Sequence, residues 1–462
     1  MNPLLSVWNL LRQFFPPDFS LHYLGAESGP LAQTLAMAAG GILISVIVGL
    51  MAGIWVGSQL PGARAVYAAL ASLRSIPDLT MAILCVVLVG IGPAAGMLAL
   101  AIFYSAAMGK IFADLFRSAD RDAMYALRAT GAPRLVMAFF GFLPLRFKDS
   151  LSYGMYEFES ALRASVIVGA VGGGGIGTEL VGALNALDYH RATTLILMLI
   201  ALIAAVDLLA QIVKRRPVLL WGLLPLAAIA LWSNRPAMFA FSHSLQTFAT
   251  MLPPELPRNA VAALPRLLAE TLEIALFGTC LAMVAALPLG LCAARNLAPA
   301  FLSFPTRRFL ESLRAVPEIV WGLLFVSVIG IGPKAGIAAL ALHGAGSLGR
   351  LYAESFENIN TMPVRAVAAT GASKISIAGF AFVPLALAPL SVHTLFRMEW
   401  NIRAAAIVGI IGAGGIGQAL FDAQQLFFYK QMLAYILITG LLVYASDSGS
   451  AFVRRRMKLM EI

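Results

Sequence analysis

The chain has 462 residues, 60% of them hydrophobic and only 12% charged, with a mean hydropathy of +0.84, whereas a soluble domain is roughly half apolar and about a quarter charged. That composition excludes a water-soluble enzyme and a nucleic-acid-binding domain, and the net charge of +10 is spread over span ends instead of forming one basic face. The three cysteines, Cys85, Cys280 and Cys292, fall inside apolar runs, where they read as small buried hydrophobes and not as disulfides or metal ligands.

Apolar runs of about 20 residues, each long enough to cross roughly 30 Å of hydrocarbon as a helix, recur along the sequence. Eleven are expected, give or take one. A polar, proline-containing lead precedes the first run at Leu31 and lacks the layout of a cleavable signal peptide. The next run opens at "LRSIPD", Leu73 to Asp78, where Pro77 is expected to bend the span. "GIGPAAG", Gly90 to Gly96, turns the chain into a third run that carries Lys110 and Asp114 four residues apart.

The segment Arg117 to Pro144 is the longest polar stretch of this half. It reads as a short cytoplasmic helix, a turn at Gly131 and Ala132, and a second helix stopped by Pro144. "FESALRASVIVGAVGGGGIG" follows, with Glu159 and Arg163 in the order that favours an intrahelical ion pair. Charges this close to an apolar run must face a bundle interior or water. They are either a self-satisfied structural pair or a source of positive potential along an anion's path. Gly172, Gly174, Gly175 and Gly177 do not form a phosphate-binding Walker loop, which needs a lysine and then Ser or Thr after its last glycine; Thr178 follows here. Such glycines let helices approach closely or let one break and turn, so they serve an outer gate or plain close packing. The half ends on Lys214-Arg215-Arg216.

From Leu73 onward all of this is written twice, 240 positions apart and without a gap. "LRAVPE" carries Pro317, "GIGPKAG" begins at Gly330, "AATGA" carries Gly371 and Ala372, and Val383-Pro384 replaces Leu143-Pro144. "MEWNIRAAAIVGIIGAGGIG" supplies Glu399, Arg403, Gly412, Gly414, Gly415 and Gly417, with Gln418 next. Upstream the offset is 237, pairing "LAQTL" at Leu31 with "LAETL" at Leu268. The run Pro217 to Trp232 has no partner, which gives repeats at 1–216 with five spans and 217–462 with six. Six spans separate Leu73 from Leu313, so the repeats are expected to be parallel, an arrangement that puts a translocation path at their interface. Most of the Lys and Arg fall in the alternate loops that hold these basic clusters, which should therefore be cytoplasmic.

The spacing of small residues, Gly131, and a segment ending Leu143-Pro144 resembles the "EAA" loop of bacterial ABC importer permeases of the type I fold, and Gly371 with Val383-Pro384 matches it again. Tyr125 and Arg365 stand where that pattern has its first glutamate, followed by Ala126 and Ala366. The two glycine blocks resemble the phosphonate permeases of that family, with the methionine and glycine-betaine importers as relatives. The resemblance covers Leu31 to Arg216 and Leu268 to Arg456. It implies an all-α integral membrane protein of two permease repeats, multi-pass in the bacterial inner membrane. The cargo it implies is phosphonate, phosphite or a related phosphorus oxyanion, with a methionine or betaine importer as the rival. It also implies two copies of an ABC ATPase docked on the loops by helix-in-groove recognition, a periplasmic or lipid-anchored substrate-binding protein, contact with membrane lipid, and no nucleic acid. No cofactor is expected in this chain; ATP and Mg²⁺ belong to the ATPase. A secondary transporter or channel would have no reason for paired "TGA" loops. A membrane-embedded enzyme is disfavoured because His22, His190, His243, His343 and His393 show no metal-like spacing.

Overall fold

A computed structural model describes residues 12–118, 129–216, 225, 228–230 and 241–456, and every regular element among them is helical. The chain divides into two compact units, Met1–Pro253 and Pro254–Ile462. The first unit contains α1 (Leu21–Gly57), α2 (Ala63–Arg74), α3 (Asp78–Val89), α4 (Pro93–Arg117), the single turn α5 (Arg134–Met137), α6 (Leu143–Val168), α7 (Ile176–Asn185), α8 (Tyr189–Arg215) and α9 (Phe241–Thr250). The second repeats the scheme with α10 (Arg258–Ala293), α11 (Ala300–Ala315), α12 (Glu318–Ile329), α13 (Pro333–Glu357), α14 (Thr361–Ala368), α15 (Lys374–Ile377), α16 (Val383–Val408), α17 (Gly415–Gln425) and α18 (Tyr429–Arg456). Of the segment 217–253, which the sequence places with the second repeat, α9 packs against α3 in the first unit.

Pro77 and Pro317 sit at the N-caps of α3 and α12. Each lacks an N–H and drives the preceding residue out of helical geometry, and the chain bends there by 91° in the first unit and 86° in the second. α2–α3 and α11–α12 are thus sharply bent pairs of short helices. Among the described residues six helices are long and apolar enough to cross a membrane, and nine when each bent pair is one span. α13, 25 residues long and so roughly 37 Å, holds the place of α4 although Lys334, His343 and Arg350 lower its hydropathy. The further run expected at Pro217 to Trp232 lies almost wholly outside the described residues.

The core of each unit is the first span laid against the fourth helix, α1 on α4 and α10 on α13, with α6 or α16 across the pair. Small residues at every fourth position make the contact: Gly41, Ser45, Gly49, Gly53 and Gly57 on α1, and Gly278, Ala282, Ala286, Gly290 and Ala294 on the matching register. A Cβ built on Gly53 would fall 2.6 Å from that of Phe112, and one on Gly290 would fall 2.8 Å from that of Tyr352. Helices with such a stripe approach backbone to backbone, which is how association is secured where lipid removes the hydrophobic drive.

Candidate functional site

From residues 129 and 369 onward, where both are described, the two polar loops build the same shape. In the second unit Asn360 caps α14 by accepting from the N–H of Met362 at 3.0 Å, and Arg365 and Ala366 lie exposed on that helix. Tyr125 and Ala126, their counterparts, are outside the described residues. Gly131 and Gly371 then take φ of +77° and +78°, the left-handed region that glycine enters without strain. Both are exposed, with no atom within 4 Å of the place a Cβ would occupy. Ala132 and Ala372 follow half-buried.

The prolines do not stop the next helix, contrary to the sequence expectation. Pro144 and Pro384 are the second residues of α6 and α16, and the chain enters each through a π turn, Ala138–Phe142 and Ala378–Phe382. A π turn leaves the wider spacing in which a proline ring avoids the carbonyl of the previous turn. It also turns Phe140 and Phe380 outward, 75% and 81% exposed at equivalent positions. Each loop thus presents a glycine elbow and a bare aromatic ring.

At the far end of α6 and α16 the glycine blocks form a second π turn, Gly169–Gly173 and Gly409–Ala413, and a break. Gly172, Gly174 and Gly175, like Gly412, Gly414 and Gly415, have positive φ. Gly177 and Gly417 are required for a different reason: a Cβ on them would lie 2.1 Å from the carbonyl oxygen of Val166 and 2.0 Å from that of Ala406. The "GIGP" turns meet these blocks, the N–H of Gly92 donating to Gly172 at 2.9 Å and that of Gly332 to Gly412 at 2.8 Å. Side chains of the first span close the exposed N-termini of α7 and α17. Thr34 and Thr271 accept from the N–H of Ile176 and Ile416 at 2.8 and 2.9 Å, while Gln33 and Glu270 accept from Gly175 and Gly415 at 3.3 and 3.0 Å.

The charged pairs differ between the units. Arg163 meets Glu159 at 3.0 Å on α6. The equivalent pair on α16 does not form: Arg403 donates to Asp447 at 2.6 Å and Glu399 is taken by Arg454, both partners on α18. The (i, i+4) spacing that suggested the intrahelical pair considers one helix alone, and a last helix carrying Asp447 and Arg454 competes for both groups. Asp207 and Lys214 hold the same register on α8, where Asp207 accepts from Gln211 at 3.1 Å. Likewise Arg350 meets Glu354 at 2.9 Å and also Glu311, whereas Lys110 lies 5.9 Å from the centre of the Tyr67 ring, whose hydroxyl donates to Asp114 at 3.3 Å.

Binding-protein-dependent transport system inner membrane components, as a family, match residues 45–219 and again 286–459. The chain belongs to this permease family. Over 474 aligned residues it is 31% identical to the phosphate-import permease protein PhnE of Mycolicibacterium smegmatis, covering 97% of this chain and 88% of that one. The phosphite transport system permease protein PtxC of Stutzerimonas stutzeri is 35% identical over 42% of this chain and 70% of its own. A putative cryptic phosphonate transport system permease protein, PhnE2 of Escherichia coli, is 35% identical over 25% of this chain and 96% of its own. Among solved structures, the inward-facing MetNI methionine ABC transporter aligns with 44% of this chain and 99% of its own at a TM-score of 0.40 and 22% identity. The permease is an inner-membrane protein that carries two copies of the family unit in one chain.

A further cluster in the permease's second copy escapes a search for repeated motifs. Arg397 on α16 is only 8% exposed, and its Nε and Nη2 have no hydrogen-bond partner. One turn on, Asn401 is fully buried; its Nδ2 donates to Thr279 Oγ1 at 2.8 Å and its Oδ1 has no partner. Glu318, also buried, lies 3.7 Å from His343 Nε2. At the same register the first copy holds Glu157, Ala161, Asp78 and Phe103, and Glu157 is buried with a hydrogen bond to Tyr153. Because the two copies disagree here, comparing them for identity passes over the place; an arginine inside an apolar span was the signal to follow.

Proposed function

We propose that this permease is the membrane-spanning subunit of an ATP-driven importer for a phosphorus oxyanion, the class that includes phosphonate, phosphite and phosphate. The observation that carries the cargo is similarity along almost the whole chain to a phosphate-import permease, joined by phosphite and phosphonate permeases over shorter lengths. As the membrane component of such an importer, the chain needs a motor supplied by a partner for its cycle. Two copies of a separate ABC ATPase, which bind ATP and Mg²⁺, dock on the loops at Gly131 and Gly371, with Phe140 and Phe380 as the apolar anchors that such grooves accept. A soluble binding protein delivers the anion on the opposite face.

Closure of the ATPases draws the two loops together, and α6 and α16 carry that movement to the glycine blocks, which act as the outer gate. Arg163 and Arg403 lend positive potential to the path, and their carboxylate partners limit how tightly the anion is held. The experiment that tests the cargo is equilibrium binding to the purified cognate binding protein. Phosphate, methylphosphonate or phosphite should bind and methionine and glycine betaine should not; the reverse result discards this reading.

A further inference from the structure

We propose that Arg397, with Asn401 beside it on α16, is the point at which the second copy grips the phosphorus oxyanion during passage. This deepens the cargo reading above and rests on it. A guanidinium is charged at every working pH and offers five donors in a fork that fits two oxygens of a phosphate-type anion at once. Here the fork is buried with Nε and Nη2 unsatisfied, a state that native interiors avoid unless the group has a further partner to meet. Gly344 is packed against it: a Cβ on that residue would stand 2.7 Å from the Cβ of Ala282, 3.3 Å from Nε and 3.7 Å from Nη2.

Asn401 adds discrimination. With Nδ2 already given to Thr279, its unpartnered Oδ1 is an acceptor with no hydrogen of its own, suited to the P–OH of a partly protonated oxyanion and repelled by a fully ionised one. Glu318 is the carboxylate whose charge reaches Arg397, and it keeps the grip reversible. The first copy has Glu157 and Ala161 at these registers, a carboxylate and a methyl that cannot bind an anion, so the grip belongs to one copy only. The rival explanation is that Arg397 exists only to neutralise Glu318.

The test uses proteoliposomes holding the full permease with its ATPase, ATP inside, and its binding protein outside with radiolabelled phosphate, methylphosphonate or phosphite. Uptake and ATP hydrolysis are both read per assembled complex, and uptake of a soluble anion reports cargo and not a lipid headgroup. Arg397→Met should keep stimulated hydrolysis while uptake per ATP falls about tenfold, the loss expected for a charged hydrogen-bonding partner, and Arg397→Lys should fall less. Arg397→Met combined with Glu318→Gln should stay as low as the single variant. Recovery of uptake in that double variant assigns Arg397 to neutralising Glu318 and overturns the proposal, as does a parallel loss of hydrolysis and uptake in Arg397→Lys. Should Arg397→Met fail to assemble, the lysine and double variants decide by the same criteria. Wild-type vesicles that take up none of the three anions defeat the cargo reading and the grip together, whereas active wild type with insensitive variants defeats the grip alone.

Discussion

A methyl group added to Gly177 or Gly417 has nowhere to go, since the neighbouring carbonyl oxygens belong to backbone and cannot swing aside. Gly177→Ala and Gly417→Ala should each destabilise the permease by about 1–3 kcal/mol, the usual cost of overpacking, read as a lower thermal unfolding midpoint of the purified chain; unchanged midpoints would show that the break relaxes freely. Arg163→Ala and Arg403→Ala are expected to lower uptake several-fold, a loss on the order of 1 kcal/mol, with normal complex yield. Collapse of assembly without a selective transport defect would instead identify the pairs as structural. These residues stood out in the sequence because charge and glycine recur at one spacing in both halves. Their partners were not: Asp447 and Arg454 looked like ordinary residues at a span end, and only the packing of α18 against α16 brings them to Arg403 and Glu399.

At the scale of elements, each π turn is a joint between a loop and a span, and its exposed ring is the handle proposed above for the ATPase. Phe140→Ala with Phe380→Ala should weaken ATPase binding about tenfold or more, because truncating a buried aromatic anchor removes a hot spot; co-purification of the ATPase at increasing dilution measures it. Bulky residues at Gly131 and Gly371 should abolish both association and uptake, since a side chain there must adopt positive φ. The bent spans were readable from Pro77 and Pro317 alone, because proline acts locally. The π turns were not, as a sequence that forms a π turn differs little from one that continues an α-helix, so Pro144 and Pro384 read as stops. Nor did apolar periodicity expose the every-fourth small residue on α1 and α10, which is a statement about the partner helix and not about hydropathy.

At the scale of the molecule, both loops proposed to dock the ATPase reside on one polypeptide. Native mass spectrometry of the purified complex should therefore find one permease chain with two ATPase subunits; two permease chains per pair of ATPases would contradict the reading of the loops. The duplication itself was legible through its unbroken offset, and a reading built on matching positions passed over where the halves had ceased to be copies. Glu157 and Arg397 occupy one position in the unit with opposite sign. A transporter assembled from two identical subunits must write every mutation on both faces of its channel, so a basic residue gained on one is gained on the other. Joining the genes lifts that symmetry and leaves natural selection free to assign capture to one lobe and release to its sibling, at a cost of nothing more than a linker.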